Sequence, residues 1–303
     1  MTNIIGKKNW YFLISLLVII PGLLSLLFWG LNLGIDFTGG TRITYSFPDN
    51  VDSKTVDDVK KVFSDAKIKI DTTQTSGKEL FIRTVPTTTS QDQLLSALLQ
   101  QKYGPLIKQE EFENIGPVIG KEITQNAFYS IITASILIVL YIAISFRKVP
   151  KPASAWRFGV CAIAALIHDV LVLLGLFSLL GHFFHVEIDS LFVTAVLTVI
   201  GFSVHDTIVV FDRIRENLLR SGSSMFAQVV NDSIVQTLSR SLNTSLTAIL
   251  VLFTLLLFGG DSIRWFVVAL LIGIISGTYS SIFNAAPLLV LWQELEQKRK
   301  NKM

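Results

Sequence analysis

Six long apolar stretches decide what this chain can fold into. Each is close to the roughly 20 residues that a helix needs to cross a bilayer. Hydrophobic residues make up 50% of the sequence, charged residues only 16%, and the mean hydropathy is +0.55. Because an ordinary soluble domain does not have this composition, the sequence predicts a polytopic α-helical membrane protein with six transmembrane helices. The stretches lie at residues 11–31, 127–146, 157–181, 188–211, 240–259 and 264–292.

The first stretch follows Lys7 and Lys8, as the apolar part of a secretory signal peptide would. It is long enough to span, and no small-residue cleavage site follows it. We therefore expect residues 1–35 to hold a cytoplasmic tail and a signal-anchor helix that stays attached. Residues 127–292 would form the other five helices, and residues 293–303 a basic cytoplasmic tail.

Lysine and arginine residues cluster in the short segments on one side of the predicted spans. The positive-inside rule assigns that side to the cytoplasm, so both termini are expected there and residues 36–126 are expected outside it. The net charge of +3 reflects this bias, and nothing in the sequence indicates a nucleic-acid partner. The basic residues concerned are Lys7, Lys8, Arg147, Lys148, Lys151, Arg157, Arg213, Arg215, Arg220, Lys298, Arg299, Lys300 and Lys302.

Residues 36–126 are polar and predict a soluble domain inserted between the first two spans. Four apolar residues recur at helical spacing after Ser53, and two extended runs flank Gly77. With a second helix before the last strand, the order is β-α-β-β-α-β, that of a ferredoxin-like α+β domain. The predicted strands are Thr41–Phe47, Ile68–Thr75, Glu79–Val85 and Gln109–Ile115, and the apolar helical face consists of Val56, Val59, Val62 and Phe63.

The second helix of this domain is predicted at residues 90–103. Ser90 and Gln93 have the spacing of a capping box at its start, and Gly104 is a typical helix end.

Residues 212–236, between the fourth and fifth spans, mix charged residues with apolar ones such as Ile214 and Ile234. This pattern predicts an amphipathic cytoplasmic loop that lies along the membrane surface and contacts lipids. Ser221–Ser224, which include Gly222, are its expected turn.

Among the ionisable residues inside the predicted spans, three are candidates for a functional site: Asp206 in the fourth, Arg240 at the start of the fifth, and Asp169 in the third. A charge at the bilayer centre costs roughly 2.5–3.5 kcal/mol, so such residues are expected to face the protein interior and to have a function. A pair between Asp206 and Arg240 is expected, either as a proton-binding site or as a structural tie between two helices. Asp169, beside His168, is either part of the same proton pathway or a hydrogen-bonded packing site.

Small polar residues follow Arg240 along the fifth span, among them Asn243 and Thr247. They either allow close helix packing or line a hydrated path. Cys161 is the only cysteine and, among apolar neighbours, is expected to be a packing residue. HFFHVEID (182–189) has no recognisable ligand spacing, so no metal site is predicted.

Six motifs, in order along nearly the whole chain, resemble those of the SecF family of bacterial protein translocase subunits. This family belongs with SecD and other RND-type membrane proteins, which are built from two similar six-helix halves. The motifs are GIDFTGG (34–40), IGPVIGKEI (115–123), RFGVCAIAALIHDVLVLLGLFSLLG (157–181), TVIGFSVHDTIVVFDRIREN (198–217), RSLNTSLTAIL (240–250) and GTYSSIFNAAPLLVLW (277–292).

The resemblance implies an accessory subunit of the Sec export machinery in the bacterial cytoplasmic membrane. It would join SecD and the SecYEG channel and use the proton motive force to help pull unfolded preproteins outward, with no cofactor and no covalent catalysis. The residues that match Asp206 and Arg240 are implicated in proton-driven conduction in the family. With one set of six spans, this chain is expected to be a separate subunit that needs SecD for the other half.

Two alternatives remain open at this point. A complete RND-type exporter of lipids or small molecules would work as a homo-oligomer, but the soluble domain is much smaller than those of such pumps. A non-conducting scaffold of the channel complex would gain nothing from buried charges such as Asp206.

Overall fold

The computed structural model describes residues 3–147, 154–220 and 225–301. It divides into two compact units, a membrane unit within Met1–Asn32 and Tyr129–Met303 and a soluble unit, Leu33–Phe128. The helices, in chain order, are α1 (Lys8–Phe28), α2 (Ile35–Thr38), α3 (Ser53–Asp65), α4 (Thr89–Tyr103), α5 (Pro117–Ser145), α6 (Ala155–Phe184), α7 (Ser190–Arg220), α8 (Phe226–Phe258), α9 (Asp261–Ser280) and α10 (Ala286–Lys300). The strands are β1 (Gly40–Ser46), β2 (Ile70–Ser76), β3 (Glu79–Thr84) and β4 (Lys108–Ile115).

Six helical spans in the described residues are long and apolar enough to cross a membrane, which confirms the predicted fold class. The last of them joins α9 to α10 through a π-helical turn, Ser281–Ala285. Helices α6 and α7 are half-buried and the α9–α10 span more than half, whereas α5 and α8 are largely exposed. The core of the membrane unit therefore lies among α6, α7 and α9, and α1 packs against α6.

Glycines let two pairs of these helices approach closely. A Cβ atom placed on Gly175 of α6 would lie 2.7 Å from Cα of Gly22 on α1, and one placed on Gly277 of α9 would lie 3.0 Å from Cβ of Ser203 on α7. Small residues at such crossings are the usual means of close packing between membrane helices. They also bring polar groups on α1, α7 and α9 within hydrogen-bond distance of the middle of α6.

Residues 212–236 do not form a separate surface loop in the part of the chain that the structure describes. Helix α7 continues to Arg220 and α8 begins at Phe226, so both ends of the segment extend membrane helices. Ile214, Val230 and Ile234 of the pattern are fully buried against the protein, whereas Leu219 and Met225 are exposed. Periodicity identified an amphipathic helix here but could not distinguish a protein neighbour from a membrane surface. The predicted turn at Ser221–Ser224 lies outside the described residues, as do Lys148, Lys151 and Lys302 of the basic set.

The soluble unit has the predicted order β-α-β-β-α-β, and its four antiparallel strands are arranged as β2-β3-β1-β4. Its core lies between the sheet and the two helices α3 and α4. Val59 and Phe63 of α3 are fully buried there, as their spacing predicted. They pack with Ile43, Tyr45, Leu80, Ile82, Leu95 and Leu99.

The capping box of α4 is two residues earlier than predicted. Thr88 is the N-cap residue: its backbone N–H donates to Gln91 Oε1 at 2.8 Å, and its side-chain oxygen accepts from the Gln91 backbone N–H at 3.3 Å. The prediction of Ser90 and Gln93 was wrong because three polar residues in a row, 88–90, offer alternative caps at nearly the same spacing. The helix does end at Gly104, whose φ of 88° suits glycine.

The close contact of α1 with α6 gives a test of the membrane unit. Gly175→Ala should destabilise the protein by about 1–3 kcal/mol, because its methyl group would meet the backbone of Gly22, which cannot move aside like a side chain. Gly159→Ala is the matched control on the same helix, since a Cβ there meets nothing within 4 Å. Thermal unfolding of the full chain in detergent measures both, and equal midpoints for the two variants would contradict the contact.

The buried Tyr45 gives a pH dependence for the soluble unit. Burial raises the pKa of Tyr45 to about 12, against a smaller lowering by its hydrogen bond with Ser96. Since the unfolded phenol ionises near pH 10, this contribution to stability is complete below about pH 10 and is lost by about pH 12, up to about 3 kcal/mol. Tyr45→Phe should lose less stability over this range.

Alkaline titration of the full chain, followed by tyrosinate absorbance and circular dichroism, measures this loss. Ser96→Ala is the control, because it removes the same hydrogen bond and keeps the titrating phenol. If Tyr45→Phe and Ser96→Ala unfold at the same alkaline pH, the ionisation of Tyr45 is not the cause.

Candidate functional site

Asp169 is completely buried at the middle of α6 and takes part in four hydrogen bonds. Oδ1 lies 3.0 Å from His168 Nδ1 and accepts from Ser276 Oγ at 2.9 Å. Oδ2 accepts from Ser203 Oγ at 2.5 Å and from Ser280 Oγ at 2.7 Å. Because Ser203 lies on α7 and the other two serines on α9, the carboxylate joins all three central helices.

Each oxygen of Asp169 has two polar partners, so the carboxyl group is fully satisfied within the protein. Three of these partners are serine hydroxyls, and the fourth is His168 Nδ1. Together they replace the hydration shell that the group would have in water.

The hydrogen-bonded chain continues from His168 to α1. His168 Nε2 lies 3.0 Å from Ser15 Oγ. Ser15 Oγ in turn lies 2.8 Å from Nδ2 and 3.1 Å from Oδ1 of Asn284, in the π-helical turn. Turns of this type are frequent at functional sites in helices. The polar cluster therefore spans α1, α6, α7, α9 and the π-helical turn.

Asp206 is also buried, with 2% of its surface exposed, but its surroundings differ. The hydroxyls of Thr278 on α9 and Ser245 on α8 lie beside its carboxyl group and are 2.5 Å from each other. Oδ2 of Asp206 has no hydrogen-bond partner among the described residues. A buried carboxyl oxygen without a partner is costly, and such groups are typical of sites that bind or exchange a proton.

Arg240 does not pair with Asp206 in this structure. Its side chain is exposed on α8, as are those of Asn243 and Thr247. On an ideal helix Arg240 lies about 140° around the axis from Ser245, the α8 residue that reaches Asp206, and the other two lie about 160° from it. The prediction of an ion pair was therefore wrong: at the start of the span, Arg240 lies on the side of α8 that faces away from α7. Asn243 and Thr247 likewise do not line the site around Asp206.

Sequence reasoning missed the uncharged members of the cluster: Ser15, Ser203, Ser276, Ser280 and Asn284. One signal could have found three of them, because residues 276, 280 and 284 recur at i, i+4 and i+8 and so lie on one helix face. The prediction was based on ionisable residues, so this spacing of uncharged residues was not used. Ser15 and Ser203 have no comparable signal, since a single serine in an apolar helix is common.

Two family models match the chain. Residues 94–295 match the model described as protein export membrane protein SecD/SecF, C-terminal, and residues 25–47 match the SecD/SecF GG motif. The first covers both buried aspartates, and the second covers the junction between α1 and the soluble unit.

Similar proteins span nearly all of the chain. The protein translocase subunit SecF of Thermobaculum terrenum is 46% identical over an alignment of 306 positions, which covers 97% of this chain and 94% of that protein. The protein translocase subunit SecDF of Bacillus subtilis is 35% identical over 97% of this chain, and the match spans 38% of that longer protein. The crystal structure of SecDF from Thermus thermophilus is similar with a TM-score of 0.82 and 33% identity, over 97% of this chain and 39% of that one.

A family model over more than half of the chain, with relatives above 30% identity over almost all of it, confirms the resemblance that the motifs indicated. The chain belongs to the SecD/SecF family of protein export membrane proteins.

Proposed function

We propose that this chain is a SecF-type accessory subunit of the Sec export machinery, which works with SecD and uses the proton motive force to drive late steps of preprotein translocation. One observation carries the mechanism: the carboxyl group of Asp206 is buried among α7, α8 and α9, and one of its oxygens has no hydrogen-bond partner in the part of the chain that the structure describes. The family membership supports the setting in protein export. The proton gradient is the only energy source that this proposal requires, and no cofactor takes part.

The partnership with SecD is supported by the relatives named SecDF, in which the matched sequence occupies 38–39% of a longer chain. The proposed contacts with the SecYEG channel and with unfolded preproteins follow from the family role. The chain itself supplies a multi-pass membrane unit and a soluble α+β unit with its own core.

In the proposed cycle, Asp206 takes a proton on its unpartnered oxygen and later releases it. Binding removes a charge from a buried site, and release restores it. Because Ser245 of α8 and Thr278 of α9 lie beside this carboxyl, each change of charge alters the hydrogen bonding between three helices. A proton crossing about 100 mV releases about 2.3 kcal/mol, which biases a two-state bundle by more than tenfold.

In this cycle Asp169 holds the central helices together. Arg240 lies on a different face of α8 from the residue that reaches Asp206, and it has a separate role. Arg240, Asn243 and Thr247 form a polar strip on the exposed face of α8. Against lipid such a strip is costly, so it is best accommodated by a second membrane protein. We assign the strip to contact with the SecD half, where Arg240 acts on the proton pathway from the partner side.

The proposed orientation has both termini in the cytoplasm and residues 36–126 outside it. The distribution of Lys and Arg supports it, and the soluble unit between α1 and the apolar part of α5 fits an extracytoplasmic segment.

A cysteine introduced at the exposed Lys54 should react with an impermeant maleimide in intact cells. Labelling only after lysis would contradict this orientation.

Substitution of Asp206 tests the proposed function. Asp206→Asn keeps the shape of the side chain and fixes a neutral state, so the protein should fold and assemble with SecD but lose gradient-dependent export. Asp169→Asn should instead lower stability, because the amide nitrogen that replaces one oxygen cannot accept from the serine hydroxyls that donate to that oxygen. The measurements are copurification with SecD, thermal unfolding, and export in vesicles with and without a proton gradient.

Asp212→Asn is the matched control, since Asp212 lies on the same helix with an exposed side chain paired to Arg215. It should keep the wild-type response to the gradient. If Asp206→Asn also keeps that response, Asp206 is structural and the proton path lies elsewhere. Recovery of the wild-type chain only as a homo-oligomer, without SecD, would favour the exporter instead.

A further inference from the structure

The ring of His168 is held at both nitrogens by polar partners inside the membrane unit. Nδ1 lies 3.0 Å from Asp169 Oδ1, and Nε2 lies 3.0 Å from Ser15 Oγ on α1. The side chain is 11% exposed, and the ring of Tyr279 lies over it at a centroid distance of 6.4 Å. A histidine that served only as an apolar packing residue would not need a polar partner at each ring nitrogen.

The contact with Asp169 determines which nitrogen carries the first proton. When Asp169 is ionised it accepts only, so Nδ1 of His168 then carries hydrogen and donates to it. Nε2 is then the variable nitrogen. It accepts a hydrogen bond in the neutral ring and donates one in the imidazolium.

Ser15 and Asn284 complete the hydrogen bonds of either form. For the neutral ring, Ser15 Oγ–H donates to Nε2 and accepts from Asn284 Nδ2, at 2.8 Å. For the imidazolium, Nε2–H donates to Ser15 Oγ, whose own hydrogen turns to Asn284 Oδ1, at 3.1 Å. The serine hydroxyl rotates between the two states. His168 Nε2 keeps a hydrogen bond to Ser15 in both, whereas Asn284 Oδ1 accepts from Ser15 only in the imidazolium state.

We propose that His168 is a proton-binding residue of this subunit, and that Ser15 and Asn284 are positioning residues that stabilise both of its forms. This inference rests on the proposed function for the source of the proton. One proton adds to the lone pair of Nε2 while Asp169 stays ionised, so the His168–Asp169 pair changes from one net negative charge to none. On release the proton leaves Nε2, and the Ser15 hydroxyl turns back to donate.

Few other groups that can carry charge face this ring. Asp169 is its charged neighbour on α6, and the titratable groups from the elements packed against it are Tyr279 of α9 and Tyr11 of α1. Tyr279 Oη donates to the Tyr11 backbone carbonyl at 2.8 Å, which directs its hydrogen away from His168, and it also lies beside the Ser15 hydroxyl. The π-helical turn contributes the neutral amide of Asn284. The state of the ring is therefore determined mainly by Asp169 and Ser15.

Nitrogen NMR of the full chain, labelled with ¹⁵N-histidine and reconstituted with SecD in nanodiscs, tests this directly. The chain has 4 histidines, and His168→Gln identifies the signals of His168 by their loss. Nδ1 should stay protonated throughout, and Nε2 should gain a proton as the pH is lowered. A single neutral form at every pH at which the protein stays folded would overturn the inference.

Two substitutions of Ser15 separate a proton-binding role from a packing role. Ser15→Ala removes the acceptor of the Nε2 proton, and a hydrogen bond to a charged group is stronger than one to a neutral group. At a given pH the fraction of doubly protonated His168 should fall about tenfold. Ser15→Thr keeps the hydroxyl and should restore that fraction. Equal fractions in Ser15→Ala and the wild type would overturn the role of Ser15.

The outcome is distinguishable from failure of the proposed function. If Asp206→Asn abolishes gradient-dependent export while His168 never binds a second proton, the proposed function stands and this inference is wrong. If His168 titrates, His168→Gln should also move the pH profile of gradient-dependent export, whereas an unchanged profile would contradict a role in the cycle.

Discussion

The arrangement of the membrane unit depends on one buried carboxylate. Inside a bilayer no water is present to satisfy polar groups, so a charged side chain must find its partners within the protein. Asp169 finds four, and three of them are serine hydroxyls from α7 and α9. These short side chains reach the carboxylate only if the helix backbones are close. The contact of Gly277 with Ser203 brings α9 close to α7, so the glycine allows the serine hydroxyls to reach the carboxylate.

The two buried aspartates differ in what their surroundings allow. Asp169 has hydrogen-bonding partners at both oxygens, and serine hydroxyls from α7 and α9 donate to it. Asp206 has an oxygen without a hydrogen-bond partner among the described residues, and its neighbouring hydroxyls bond to each other. A proton can therefore bind to Asp206 at little cost in existing contacts. In the cluster around Asp169, the proposed proton-binding group is His168, which can keep its hydrogen bond to Ser15 in either form of the ring.

The large features of this structure follow from periodicity, and the sequence was sufficient to predict them. Six apolar stretches became six spans, and the two extended runs around Gly77 became the β2–β3 hairpin at one edge of the sheet. What sequence alone left undetermined were choices between nearly equal options. Thr88 and Ser90 could both cap α4, and the apolar side of residues 212–236 could meet a membrane surface or a neighbouring helix. Tertiary packing decides such choices, and single-chain periodicity does not report it.

The same limit explains the prediction for Arg240. Two opposite charges in neighbouring spans suggest a pair, but a helix turns by about 100° per residue, and Arg240 points away from the side of α8 that carries Ser245. Helix α8 therefore has two polar faces, one that reaches the buried Asp206 through Ser245 and one that is exposed through Arg240, Asn243 and Thr247. In the proposed function the second face meets the partner half. A change of charge at Asp206 would then move a helix whose other side contacts that partner, so a proton bound within this chain can alter the arrangement of both halves.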